Sequence, residues 1–339
     1  MNYLRSVTRS TGAATGFVAR LRETEMEPSA ITDLQLRNLL VPTDFSPCSQ
    51  KALLFAVNVA RRQQSTLTLL HIVPPQPGFP PHPRRDEALR AAWDEMKRFQ
   101  ADLLSKGVLR GVDHHLLVVR GKDWDVISRT LKLQGADLIV MGTHGRTGLR
   151  KLLLGSFAEN IFRRAACPVL TVGPQITDQE VLELPQHILF FTDDSLVSRA
   201  AEPYAFQAGR ATGAQLTLLG LVHASLSVTS ESGSGGPLKQ AQERLEASAL
   251  YAAWREGGAT PKAVAETGSK VMAILREADL THADLVVLGI SGGHDEAQTL
   301  GWTDAYEVVC SARCPVLTVR HTFPDPYFKR LLHIHTAGE

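Results

Sequence analysis

The chain has 339 residues, 44% hydrophobic and 21% charged, with a formal net charge of +1, a balance that excludes a disordered or fibrous protein and gives no global attraction to nucleic acid or anionic membrane. At about 150 residues per domain this length accommodates two cores, and no apolar run reaches the ~18 to 20 residues that span a bilayer. The four sparse cysteines, Cys48, Cys167, Cys310 and Cys314, read as reduced thiols of a cytoplasmic protein.

The first 22 residues carry Arg5, Arg9, Arg20 and Arg22 and no acid. They faintly resemble a transit peptide but have no secretory apolar core. Residues 1–35 are therefore expected to be a disordered extension, with Met26 an alternative start. A first strand is expected at Leu39–Val41, a helix over Ser49–Gln63 and a second strand over Leu67–Val73. The Pro74–Pro83 stretch (PPQPGFPPHP) cannot continue a helix or a central strand. Its position beyond the second strand suggests a loop bordering a ligand. A helix over Arg85–Ser105 and strands at Leu116–Val119, Leu138–Met141 and Val169–Val172 follow. The strands are apolar almost continuously, as in a mostly parallel sheet covered by helices on both faces.

This unit then repeats. Ala136-Asp137-Leu138-Ile139-Val140-Met141-Gly142 returns as Ala283-Asp284-Leu285-Val286-Val287-Leu288-Gly289, and Cys167–Val172 (CPVLTV) as Cys314–Val319, both at an offset of 147. Asn38–Ser46 (NLLVPTDFS) pairs with His187–Ser195 (HILFFTDDS) at 149. The order is that of a duplicated domain: 36–173, a linker at 174–184, 185–320, and a tail at 321–339. A Gly/Ser tract, Ser225–Pro237, matches the proline-rich loop and is expected to be flexible.

The strongest chemical feature follows the fourth strand. Gly142-Thr143-His144-Gly145 and, nine residues on, Gly155-Ser156 precede a helix running to about Ala165. Glycines let backbone amides approach phosphate oxygens, and a helix amino end favours anions. Arg146, Arg150 and Lys151 add three positive charges to this loop, with no acid.

Gly-x2-Gly-x9-Gly-Ser, together with Val-Pro-Thr-Asp-Phe-Ser at 41–46 and the terminal Cys-Pro-Val-Leu-Thr-Val strand, resembles the ATP-binding branch of the universal stress protein family, over both copies. The resemblance implies two tandem Rossmann-like α/β domains of the adenine nucleotide alpha hydrolase-like kind, each a mostly parallel five-stranded doubly wound sheet. It implies that ATP meets Pro42, Thr43, Asp44 and Val73 on the adenine and ribose side. Met141, Gly142, Thr143, Gly145, Arg146, Gly155, Ser156 and Phe157 would lie on the ribose and phosphate side. Magnesium would bridge the phosphates with help from Asp44, which also reads as an N-cap of the first helix. The last strands, Pro168–Val172 and Pro315–Val319, would pair as an intramolecular pseudo-dimer, leaving room for further homo-oligomers and for an unidentified protein partner.

The second copy breaks the loop. Without gaps, Trp302 stands opposite Gly155 and Thr303 opposite Ser156, which would put an indole in the path of a phosphate; with Gly301 as the third glycine, Trp302 falls at the serine position instead. Gly293, Ala297 and Gln298 stand opposite the three basic residues, Asp295 and Glu296 are gained nearby, and the loop charge moves from +3 to −2. One ATP per chain is therefore expected, in the first copy. Since no general base stands beside the phosphates, a nucleotide-dependent sensor or signalling module is favoured over a slow ATPase or phosphotransferase.

Overall fold

A computed structural model of the chain describes residues 34–75, 87–144, 155–177, 180, 183–222, 236–291 and 299–321. In the first half, β1 (Asn38–Pro42), β2 (Thr66–Val73), β3 (His114–Arg120), β4 (Leu138–Gly142) and β5 (Val169–Val172) alternate with helices. These are α1 (Pro47–Gln63), α2 (Glu87–Ser105), α3 (Asp123–Gln134) and α4 (Ser156–Arg164). The second half runs β6 (His187–Phe191), α5 (Leu196–Arg199), α6 (Glu202–Thr212), β7 (Gln215–Val222), α7 (Gly236–Glu246) and α8 (Ala249–Glu256). It ends with β8 (Lys262–Thr267), α9 (Lys270–Leu280), β9 (Leu285–Ser291), α10 (Trp302–Ser311) and β10 (Val316–His321). The expected Gly/Ser tract stops short of Pro237. Helix α7 already begins at Gly236, and a proline in the first turn lacks only an amide that would have had no helical partner. Residues 223–235, and 76–86 of the proline-rich loop, lie outside the described residues.

The strands form one ten-stranded sheet in the order β3-β2-β1-β4-β5-β10-β9-β6-β7-β8. Each half is parallel throughout. Apolar side chains of both sheet faces build the two main cores, which explains why β4 (Leu138, Ile139, Val140, Met141) is apolar without alternation. The repeated Ala-Asp motif has a local purpose. Asp137 Oδ2 accepts from the amides of Arg37 and Asn38, at 2.8 and 2.9 Å, and Asp284 Oδ2 accepts from those of Gln186 and His187, at 2.8 and 3.0 Å. Each aspartate thereby pins the start of the strand beside it.

The two halves join as the resemblance implies. β5 and β10 pair antiparallel, Leu170 opposite Leu317. Two threonines at equivalent positions reinforce the seam, Thr171 donating to the Val316 carbonyl and Thr318 to that of Val169, both at 3.1 Å. Strand starts at Cys167 and Cys314 are apolar surroundings that push both thiols up to about 12, so neither is a nucleophile at neutral pH. Among the described residues no helix is long and apolar enough to cross a membrane.

One helix of the repeat is broken. Where α1 is continuous, the second copy has α5 and then α6, because Pro203 cannot donate the amide a continuous helix needs and so sits in the first turn of a new one. The break places Glu202 inside the protein, 8% exposed. Burial raises its carboxyl from the ordinary 4.5 to about 7, against the opposing pull of Arg199. The folded protein thus holds this proton more tightly than the unfolded chain does. The associated stability is full below about pH 4.5 and is lost as pH rises to about 7, an effect of up to about 3 kcal/mol. Glu202→Gln should remove most of that slope and raise the melting temperature at pH 8. Denaturant titrations of both proteins at pH 5 and pH 8 measure it, and parallel pH profiles would refute it.

Candidate functional site

The carboxyl ends of β1, β2 and β4 meet the amino ends of α3 and α4 around a cleft of about 210 Å³. It lies where strand order reverses, β1 having β2 on one side and β4 on the other. Such a switch point is where open α/β sheets hold ligands.

The turn after β1 is built by its own side chains. Thr43 is buried; its amide donates to the Leu70 carbonyl at 2.8 Å and its Oγ1 accepts from the amide of Phe45 at 3.0 Å. Asp44 Oδ1 accepts from the amide of Ser46 at 3.0 Å, and Ser46, not Asp44, is the N-cap of α1, accepting from the amide of Ser49. Phe45 takes the left-handed conformation, φ 62°, unusual for so bulky a residue. Its ring rests 4.6 Å from that of His71 and 5.4 Å from Phe99, and this packing holds the turn in place. His71 in turn bonds through Nδ1 to the Thr43 carbonyl, at 2.7 Å.

On the other side, Thr143 is buried and donates its amide to the Val172 carbonyl at 3.0 Å. The amide of Gly155 donates to the Thr143 carbonyl at 3.0 Å, so the loop between them is closed at its base. That bond commits the Gly155 amide, and the anion-ready amides are those of the first turn of α4. Gly155 is the N-cap of α4 and supplies no side chain to satisfy them. At Gly142 there is no room for a Cβ, which would stand 2.8 Å from the backbone of Cys48. The start of α1 therefore lies directly on the cleft floor.

Of the residues expected from sequence, Pro42, Thr43, Asp44, Met141, Gly142, Thr143, Gly155 and Phe157 line this cleft together. Val73 is buried beside it, its place taken by Leu70, His71 and Ile72, and Ser156 is exposed at the start of α4 without lining it. Gly145, Arg146, Arg150 and Lys151 lie outside the described residues. Asp123, at the start of α3, was not anticipated. It faces the cleft, and burial raises its carboxyl above the usual range. Its signal in the sequence was an acid in a first helical turn directly after a strand. Ser49 and Ala158 were missed as well. No group of three or more metal-ligating side chains occurs among the described residues. Asp44 and Asp123 are the carboxylates in the cleft lining.

The sequence profile of the universal stress protein family matches residues 35–173 and again 185–320. The chain belongs to this family. A universal stress protein of Mycolicibacterium smegmatis is 27% identical over 297 residues, covering 83% of this chain and 96% of that protein. One of Methanocaldococcus jannaschii is 32% identical over 146 residues, 40% of this chain and 81% of its own length. Among solved structures, a universal stress protein of Archaeoglobus fulgidus superposes with a TM-score of 0.63 at 19% identity, covering 85% of this chain and 98% of that one. The fold is thus that of a tandem universal stress protein.

The second universal stress protein domain keeps the turn and changes the rest. Thr192, Asp193 and Asp194 repeat the bonds of Thr43, Asp44 and Phe45, with Asp194 left-handed at φ 59° and Ser195 the N-cap of α5. Its glycine alignment is corrected by α10. Gly301 is the N-cap there as Gly155 is in α4, so Trp302 corresponds to Ser156 and the ungapped pairing of Trp302 with Gly155 does not hold. The indole lies at the seam between the domains. It reaches across the seam to α4 of the first domain, 6.2 Å from the ring of Phe162, with the Arg163 guanidinium 4.8 Å above it. Residues 292–298, with Asp295 and Glu296, lie outside the described residues.

Proposed function

We propose that the first domain binds one ATP per chain, and that its occupancy is read as a signal in the cytoplasm by a protein partner. The observation that carries this reading is the uncapped amino end of α4, framed by the ends of β1, β2 and β4 at the switch in strand order. In this reading the adenine and ribose lie against Pro42, Thr43, Asp44 and the β2 end, and the phosphates against α4 and the loop carrying Gly145 and Arg146. A magnesium ion would be held chiefly by the phosphates themselves. Asp44 would complete its shell, since magnesium commonly takes one or two carboxylates and keeps its waters.

Calorimetry with ATP, adenosine and cyclic AMP, each with and without magnesium, tests the reading. ATP is expected to bind once per chain and more tightly with the metal. The double change of Arg146 and Arg150 to Ala is expected to weaken ATP by roughly twofold to thirtyfold, each exposed ion pair contributing about 0.2 to 1 kcal/mol, while leaving adenosine unaffected. Equal losses for both ligands would move the phosphates away from that loop. Steady release of phosphate by the purified protein would overturn the signalling reading in favour of an ATPase.

A further inference from the structure

A second cavity, of about 100 Å³, lies on the opposite flank of the seam from α4 and α10, between α1 of the first domain and α6 of the second. Its floor is four buried leucines, Leu138 and Leu170 from one domain and Leu285 and Leu317 at the equivalent positions of the other. Its walls also repeat. Phe55, Val59, Arg62 and Gln63 of α1 face Tyr204, Ala208, Ala211 and Thr212 of α6, each pair 149 apart in sequence.

The walls are equivalent in position and unequal in size. Three of the four α6 side chains are much smaller than their α1 counterparts, with alanine replacing valine and arginine and threonine replacing glutamine. The void opens on the side of α6. Arg62 Nη1 donates to the Ala211 carbonyl at 2.7 Å and Gln207 Nε2 donates to Gln63 Oε1 at 3.3 Å, two bonds that tie α1 to α6 at their present separation. Among exposed rim residues, Arg62 and Glu183 carry opposite charge, so the mouth favours no ion.

We propose that this interdomain cavity is a binding site for a small uncharged apolar molecule, of about the size of a single aromatic ring. Apolar cavities of about 150 Å³ stay dry and take up ligands such as benzene. A hydrocarbon surface here would regain the contacts that the smaller α6 side chains leave unmade, whereas a carboxylate would bury its charge against leucines. The site is independent of the nucleotide cleft and does not rest on ATP binding there.

The test uses the full chain with toluene as the probe and hexanoate as the charged control, followed by saturation-transfer NMR and by melting temperature. Toluene is expected to bind saturably and to raise the melting temperature, and hexanoate to do neither. Ala208→Leu and, from the opposite wall, Val59→Phe each fill the cavity. Either should weaken toluene at least tenfold while the protein melts no lower than the parent. ATP binding measured on the same samples should be unchanged, and this separates loss of the site from loss of the fold. Absence of saturable toluene binding overturns the proposal, as does binding that survives in a well-folded filled variant. Toluene binding only after removal of residues 1–33 would assign the cavity to the chain's own amino-terminal segment and would equally overturn it.

Discussion

Gly155→Trp is expected to abolish ATP binding by the first domain, while Ser156→Trp, one residue on, leaves it within about threefold. Gly155 lines the cleft at the N-cap of α4 with φ −58° and ψ 148°, a conformation any residue adopts. An indole there fits the backbone and fills the approach to the first-turn amides. A loss of at least about a hundredfold, about 2.7 kcal/mol, is expected. Ser156 is exposed and is not part of the cleft lining. Its counterpart Trp302 shows where an indole at that position goes, across the seam onto the neighbouring domain's helix. Calorimetry of both variants, with melting curves to show that each is folded, decides the matter. Equal loss in both would place the phosphates against the Ser156 side chain, and no loss in either would move the ligand off α4.

Gly289→Ala should destabilise the second domain without changing ATP stoichiometry. A Cβ at Gly289 would run into the Val197 carbonyl oxygen and stand 2.7 Å from the Ser198 Cα, atoms of the backbone that cannot swing aside. Helix α5 would have to leave β9. Overpacking of this kind typically costs about 1 to 3 kcal/mol, and a contact with backbone belongs at the upper end. The matching change Gly142→Ala presses on Cys48 at 2.8 Å and moves the start of α1. It should therefore lower stability and ATP affinity together. Urea titrations give the first quantity and calorimetry the second. If Gly289→Ala unfolded at the parent's midpoint, the close packing of α5 on β9 would be wrong.

The alternation of strands and helices and the duplication were legible because each rests on patterns of a few consecutive residues, whereas the pairing of the last strands was implied only by the family resemblance. Continuous apolar runs mark strands buried on both faces, and Asp137 and Asp284 recur because each ties two backbone amides. The cleft was legible where motifs fall at strand ends. It was less so where position depends on neighbours. His71 and Asp123 enter it because the end of β2 and the start of α3 meet at the cleft, a juxtaposition no local pattern reports. Trp302 was misplaced for the same reason. Ungapped alignment assigns a residue to a position in its own domain, whereas the indole packs against the other one. Pro203 was a sequence signal for the broken helix that went unread, and the burial of Glu202 that follows from the break has no local signal at all.

Antiparallel pairing of β5 with β10 inside one chain also limits how this protein can report what it binds. Two separate subunits joined along such strands would come apart on dilution, and a ligand could shift the balance between single and paired forms. Here the partner strand is tethered, its effective concentration is fixed by the linker, and the seam persists however scarce the protein becomes. The same pairing uses up both terminal strands, leaving β3 and β8 as the outer edges of the sheet. If the first cleft signals as proposed, its message would not be a change in copy number through these strands. Such a message would be equally readable at low abundance and at high.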